Sequence, residues 1–141
     1  MPVFTMQRRV QFADTDMAGI VHFANFYRYM EETEHAYFRS LGLFLMDVLP
    51  DGSAISWPRV KATCNFESPA RYDDVLNIEL GISRLGTKSL TLTFQFRLGE
   101  RRVATGELTT VCCHCRHGEP MEPIVIPPDV RQRFQPAVER Q

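Results

Sequence analysis

Long apolar runs are missing from this 141-residue chain. A membrane-spanning helix needs roughly 18 or more consecutive apolar residues, and no stretch approaches that. The opening MPVFTMQRRV also lacks the apolar core of a secretory signal. The expectation is a cytoplasmic protein with no membrane partner. Net charge is equally scarce: 16 Lys plus Arg against 17 Asp plus Glu leave −1, which argues against nucleic acid as a partner. Cysteine is sparse too. Cys64, Cys112, Cys113 and Cys115 are too few and too clustered for a disulfide framework and suit reduced thiols. Internal repeats and low-complexity tracts are absent.

What is present is enough apolar material, 44% of the residues, to build a core without metal or disulfide staples. One domain spanning 1–141 is expected. The opening VFTMQRRVQF reads as a strand. From Asn25, apolar residues fall at spacings of three and four: Phe26, Tyr29, Met30, Thr33, Ala36, Tyr37 and Leu41. Asn25 serves as the expected N-cap and Gly42 as the stop of a helix over 25–41. Beyond PDGSA, alternation with period two takes over. Val60, Ala62, Cys64 and Phe66 alternate with a wet face of Arg59, Lys61, Thr63 and Asn65. Leu76 to Ile82 and Leu90 to Leu98 repeat the pattern, and VATGELTTVCCHC makes a last long strand with Gly106 as a bulge. A short terminal helix begins near Pro128. This order predicts an α+β fold, a curved antiparallel sheet wrapped around one long central helix.

The segment FADTDMAGIVHFANFY, residues 12–27, carries the pattern D-x-D-x-x-G-x-V through Asp14, Asp16, Gly19 and Val21. With the Glu-rich helix and the strands behind it, it resembles the hotdog-fold acyl-CoA thioesterases, in particular the 4-hydroxybenzoyl-CoA and tol-pal-associated branch. The resemblance implies hydrolysis of an acyl-CoA thioester with Asp16 as general base or nucleophile. It also implies homodimers or homotetramers with each site at a subunit interface, and no metal or redox cofactor.

The residues support a site here on their own chemistry. Thioester hydrolysis needs a base or nucleophile on one side of the carbonyl and donors for the oxyanion on the other. A helix start offers unpaired amides and partial positive charge, so His22 to Phe26 form the expected oxyanion hole, with Gly19 letting the loop turn beside it. Val21, Phe23, Asn25 and Tyr27 are the further substrate-binding candidates, and His22 joins Asp16 as a catalytic candidate. Relatives place a histidine one position later, where this chain has Phe23. Asp14 shapes the loop. Glu31, Glu32 and Glu34 read as a solvated helix face.

Phosphates of CoA call for local cations, and Arg84, Lys88 and Ser89 are the first candidates, with Arg59 and Lys61 behind them. Phe23, Phe26, Trp57 and Phe66 are available to line an aryl slot or an aliphatic tunnel. In CCHC, Cys112 and His114 point one way along a strand and Cys113 and Cys115 the other, so four ligands cannot converge on one zinc. Two alternatives stand beside hydrolysis. One is a carrier-protein dehydratase using His22 with Glu31 or Glu34, and the other is a binding module in which nothing attacks the acyl thioester.

Overall fold

A computed structural model describes residues 2–139. Positions 1, 140 and 141, part of the expected 1–141 domain, lie outside the described residues. Strand β1 (Phe4–Arg9) is followed by a single 3-10 turn over Phe12–Asp14 and by helix α1 (Ala24–Ser40). Four long strands come later: β4 (Arg59–Phe66), β5 (Val75–Leu85), β6 (Ser89–Leu98) and β7 (Arg101–Val111). With β1 they form one antiparallel sheet in the order β1-β5-β6-β7-β4.

Period-two patterning builds the core as expected. Leu76, Ile78, Leu80 and Ile82 of β5 and Leu90, Leu92, Phe94 and Phe96 of β6 are all buried on one face. Onto that face α1 turns Phe26, Tyr29, Met30, Thr33, Tyr37 and Phe38. The helix and the sheet thus bury each other's apolar surface, and neither is stable as drawn without the other.

Four expectations need correction. The N-cap of α1 is Phe23, not Asn25, which lies inside the first turn and donates through Nδ2 to the Asp14 carbonyl at 2.8 Å. The last long strand is two strands. At Cys112 the chain leaves the large sheet, and β8 (Cys113–Cys115) joins a second one with β2 (Met46–Val48), β3 (Ala54–Ser56) and β9 (Glu122–Pro123), in the order β2-β3-β8-β9. Val111, Cys112 and Cys113 include no Gly, Pro or other turn residue, so the sequence does not mark the break, and the two neighbouring cysteines are both buried across it. The terminal helix expected near Pro128 is there as α2 (Pro128–Glu139), and it places Phe134 in the core against Phe38 and Trp57. The helix acids are not all solvated, since Glu34 is completely buried.

Gly106 is not a bulge either. It pairs in register with Cys64 on one side and Phe94 on the other. Its role is to admit the helix, because a Cβ there would lie 2.4 Å from Met30 Sδ. Gly106→Ala forces the buried Met30 aside and is expected to cost about 1–3 kcal/mol, read as a fall in urea midpoint with an unchanged slope.

Candidate active site

The loop before α1 is a miniature hairpin. Thr15 bridges Val21, the Asp16 amide donates to the Ile20 carbonyl at 2.8 Å, and the Gly19 amide donates to the Asp16 carbonyl at 2.9 Å. Gly19 closes this turn at φ +77°, a conformation that other residues adopt at a cost. Asp16 sits at the start of the turn. One of its oxygens, Oδ1, accepts from the Ala18 amide at 2.8 Å, which fixes the carboxylate's direction.

Asp14 does different work. Its Oδ2 accepts from the Gln11 amide at 2.9 Å, from the Tyr29 hydroxyl at 2.9 Å and from Arg8 Nη1 at 3.2 Å. Arg8 also pairs with Glu32 at 2.8 Å and lies 4.9 Å from the Tyr29 ring centroid. Burial, then the hydrogen bond to Asp14, hold the Tyr29 hydroxyl protonated far above its ordinary range. The network ties strand, loop and helix together behind Asp16. Tyr29→Phe removes a bond to a charged acceptor and is expected to cost about 1–3 kcal/mol, seen as a lower urea midpoint.

In front of Asp16 lies a cleft of about 590 Å³. Asp16, Ala18, Ile20 and Val21 make one wall, Phe23, Phe26 and Phe66 another, and residues 67–71 a third. Phe26 and Phe66 meet edge to face at 5.4 Å, and Phe23 reaches Phe66 at 6.4 Å. The third wall was missed from sequence. It is strapped down by the Val21 amide donating to Ala70 O at 2.8 Å and by Arg101 Nη1 donating to Ser68 Oγ and Pro69 O, each at 2.8 Å. Its available signal was Pro69 just beyond the end of an alternating strand, a turn that folds back toward whatever precedes it.

The helix start offers fewer free donors than its position suggests. The Ala24 amide donates to His22 Nδ1 at 3.2 Å, the Asn25 amide to His22 O at 2.9 Å, and the Phe26 amide to Phe23 O at 3.2 Å. Among the described residues the Phe23 amide has no such acceptor. His22 is exposed, stacks on Phe23 at 4.8 Å and caps Ala24, and it does not line the cleft. Gly19, Asn25 and Tyr27 also stand outside the lining.

Other candidates sit far away within the chain. Arg84, Lys88 and Ser89 occupy the β5–β6 turn, whereas Asp16 lies near the opposite end of β5, where Arg9 pairs with Val75. Ten residues of strand separate those ends, about 33 Å. Trp57 packs into the core against Phe38 at 5.7 Å and is no part of the cleft. Arg59 was expected on the wet face. A bulge between Arg59 and Lys61 turns it toward the helix, where it pairs with buried Glu34. Burial pushes the Glu34 carboxyl up to about 7 against the pull of Arg59. His22 lies before α1, and Glu31 and Glu34 come 9 and 12 residues later, about 14 and 18 Å at the helical rise, so one chain does not assemble either dehydratase pair. In CCHC, burial lifts the Cys112 thiol to about 11, and His114 Nε2 lies 2.8 Å from Ser53 Oγ.

A carboxylate at the mouth of an aromatic cleft, beside the N-terminus of the single long helix on an antiparallel sheet, fits the hotdog fold of thioester hydrolases. The family model for the thioesterase-like superfamily matches residues 10–134, and the chain belongs to that superfamily. A 1,4-dihydroxy-2-naphthoyl-CoA hydrolase of Thermosynechococcus vestitus is 32% identical over 82% of this chain and 80% of its own. A 4-hydroxybenzoyl-CoA thioesterase of a Pseudomonas species is 39% identical over 60% of this chain and 61% of its own. The solved structure of a gentisyl-coenzyme A thioesterase superposes with a TM-score of 0.78 at 32% identity, covering 94% of this chain and 99% of that one. The resemblance drawn from residues 12–27 is borne out.

Proposed function

We propose that this chain is an acyl-CoA thioesterase, a single hotdog domain with its sheet curved around α1, and that its acyl group is aromatic. The observation that carries this reading is the Asp16 carboxylate on the wall of a cleft otherwise lined by Phe23, Phe26 and Phe66. The relatives named above act, by their names, on hydroxylated aromatic thioesters, which supports an aryl group here.

In this mechanism the flat acyl group lies among the three phenylalanines and brings its carbonyl to Asp16. Asp16 attacks the carbonyl carbon, or takes the proton of a water that does so. The C=O pair moves onto oxygen, which is held by the Phe23 amide at the positive end of α1. The C–S bond then breaks and CoA leaves as the thiolate. If Asp16 attacked directly, water hydrolyses the mixed anhydride in a second step. Arg71 is the cation in the cleft lining, and its guanidinium is in none of the ion pairs among the described residues, which makes it the candidate for a CoA phosphate. Arg84, Lys88 and Ser89 serve a cleft only from another subunit.

That subunit has a natural seat. Strand β4 pairs with β7 on one side, carries no strand on the other among the described residues, and is exposed along nearly its whole length. Free edges of this kind invite a partner. Antiparallel pairing of two copies about Thr63 sets Arg59 against Glu67, Val60 against Phe66 and Lys61 against Asn65, so charges and apolar residues both match. A homodimer joined at β4 is the assembly proposed, and a homotetramer would add a second contact. The four thiols, none in a disulfide, suit a reducing cytoplasm.

Purified protein incubated with aryl- and aliphatic-CoA thioesters and a thiol-trapping dye tests the reading. Thiol release fastest from aryl thioesters is expected. Saturable binding with no release would instead favour the binding module.

A further inference from the structure

Arg59 and Glu34 stand apart from the exposed ion pairs of the surface. Glu34 is fully buried, accepts from Arg59 Nη2 through Oε1, and has no partner for Oε2 among the described residues. Arg59 Nη1 donates to the Trp57 carbonyl at 2.9 Å. The Arg59 side chain nevertheless keeps 31% of its surface open. A guanidinium anchored from below and partly open above is a fixed fork of donors, unlike a mobile surface lysine.

Its own cleft is out of reach. Arg59 and Phe66 lie at opposite ends of β4, seven residues or about 23 Å apart. Antiparallel pairing reverses that relation. In the β4 dimer, Arg59 of one copy comes opposite Glu67 and next to Phe66 of the other, and both Phe66 and Glu67 line the cleft. With the thioester carbonyl at Asp16 and the acyl body along the phenylalanines, the end of the acyl group far from sulfur runs toward the interface.

We propose that Arg59, held in place by Glu34, reaches the cleft of the second copy and selects acyl groups whose far end carries a hydrogen-bond acceptor, a hydroxyl or a carboxylate. The inference rests on the hydrolase reading and on the β4 pairing. In this assignment Arg59 is the specificity residue and Glu34 a positioning residue. It adds to the aromatic cleft a demand that apolar walls cannot make, because a buried donor left unpaired penalises the acyl group lacking the acceptor.

The test compares kcat/KM for 4-hydroxybenzoyl-CoA and 4-carboxybenzoyl-CoA with that for benzoyl-CoA. Arg59→Lys keeps a charge over Glu34 but loses the fork, and the ratio of substituted to unsubstituted substrate is expected to fall about tenfold. The double variant Glu34→Met/Arg59→Met leaves no lone buried charge and repeats the measurement if the lysine variant folds poorly. Co-expression of Asp16→Asn with Arg59→Lys chains then asks which copy supplies the arginine. Each mixed dimer has one site with Asp16 intact and Arg59 intact on the opposite copy, so the ratio should recover toward the wild-type value. Mixed dimers that keep the Arg59→Lys ratio overturn the proposal, as does an Arg59→Lys ratio within twofold of wild type. Absence of thiol release by the wild type overturns the hydrolase reading and this proposal with it, whereas release with an unmoved ratio overturns this proposal alone.

Discussion

Asp16→Asn is expected to lower thiol release from aryl-CoA substrates by about 10²–10⁴-fold while leaving the fold intact. The two halves of that expectation come from different atoms. Turnover needs the negative charge, which asparagine lacks, either to attack the carbonyl or to take a proton from water. The loop needs only an acceptor for the Ala18 amide, and asparagine's Oδ1 supplies it. Stability should therefore stay within about 0.5 kcal/mol of wild type. Asp14→Asn should behave the opposite way. Its carboxylate receives Arg8, Tyr29 and the Gln11 amide, so the variant loses urea resistance first and activity only as the loop loosens. Measured side by side, the two substitutions separate a reacting group from a supporting one. Thiol release by Asp16→Asn within tenfold of wild type would remove Asp16 from the mechanism.

These contrasting aspartates mark the limit of what the sequence makes legible. Local signals were readable because they depend on neighbours in the chain: the helix period from Phe26 to Tyr37, the alternation of Leu76 to Ile82, the turn at Gly19. The same holds for the placing of Asp14 and Asp16 in a short loop beside a helix start, where Asp16 lines the cleft and Asp14 is tied to Arg8 and Tyr29. Features that need two distant segments were not. Nothing in the sequence of 103–115 announces that the chain changes sheets at Cys112, since Val111, Cys112 and Cys113 include no Gly, Pro or other turn residue to mark the break. The wall at 67–71 becomes part of the site only when Ala70 meets Val21. A one-residue bulge reverses sidedness, and so Arg59, read as solvent-facing, ends against the helix. Glu34 followed the same error from the other side, because its charge argued for water while its helical position argued for the core. Position prevailed because Arg59 arrived to meet it.

That meeting carries the largest stability effect expected in the molecule. Arg59→Ala strands the Glu34 carboxyl in the core, and breaking a buried pair from one side costs about 3–5 kcal/mol. The cost should depend on pH in a direction set by Glu34. Burial raises its folded-state value from 4.5 to about 7, with Arg59 pulling the other way and Glu31 adding to the rise. A carboxyl raised on folding binds its proton more tightly in the folded state. Its contribution is fully present below about pH 4.5 and is lost as pH climbs through about 7, a change on the order of 3 kcal/mol. Removing Arg59 takes away the group that favours the ionised form and lifts the carboxyl further. Arg59→Ala should accordingly be destabilised most at pH 8, where Glu34 must ionise or hold a proton at a penalty, and least at pH 5, where it is neutral in any case. Urea midpoints at the two pH values measure this directly, and Glu34→Gln serves as control by flattening the wild-type dependence between them. A larger loss at pH 5 than at pH 8 would mean that Arg59 stabilises the protein through contacts other than Glu34.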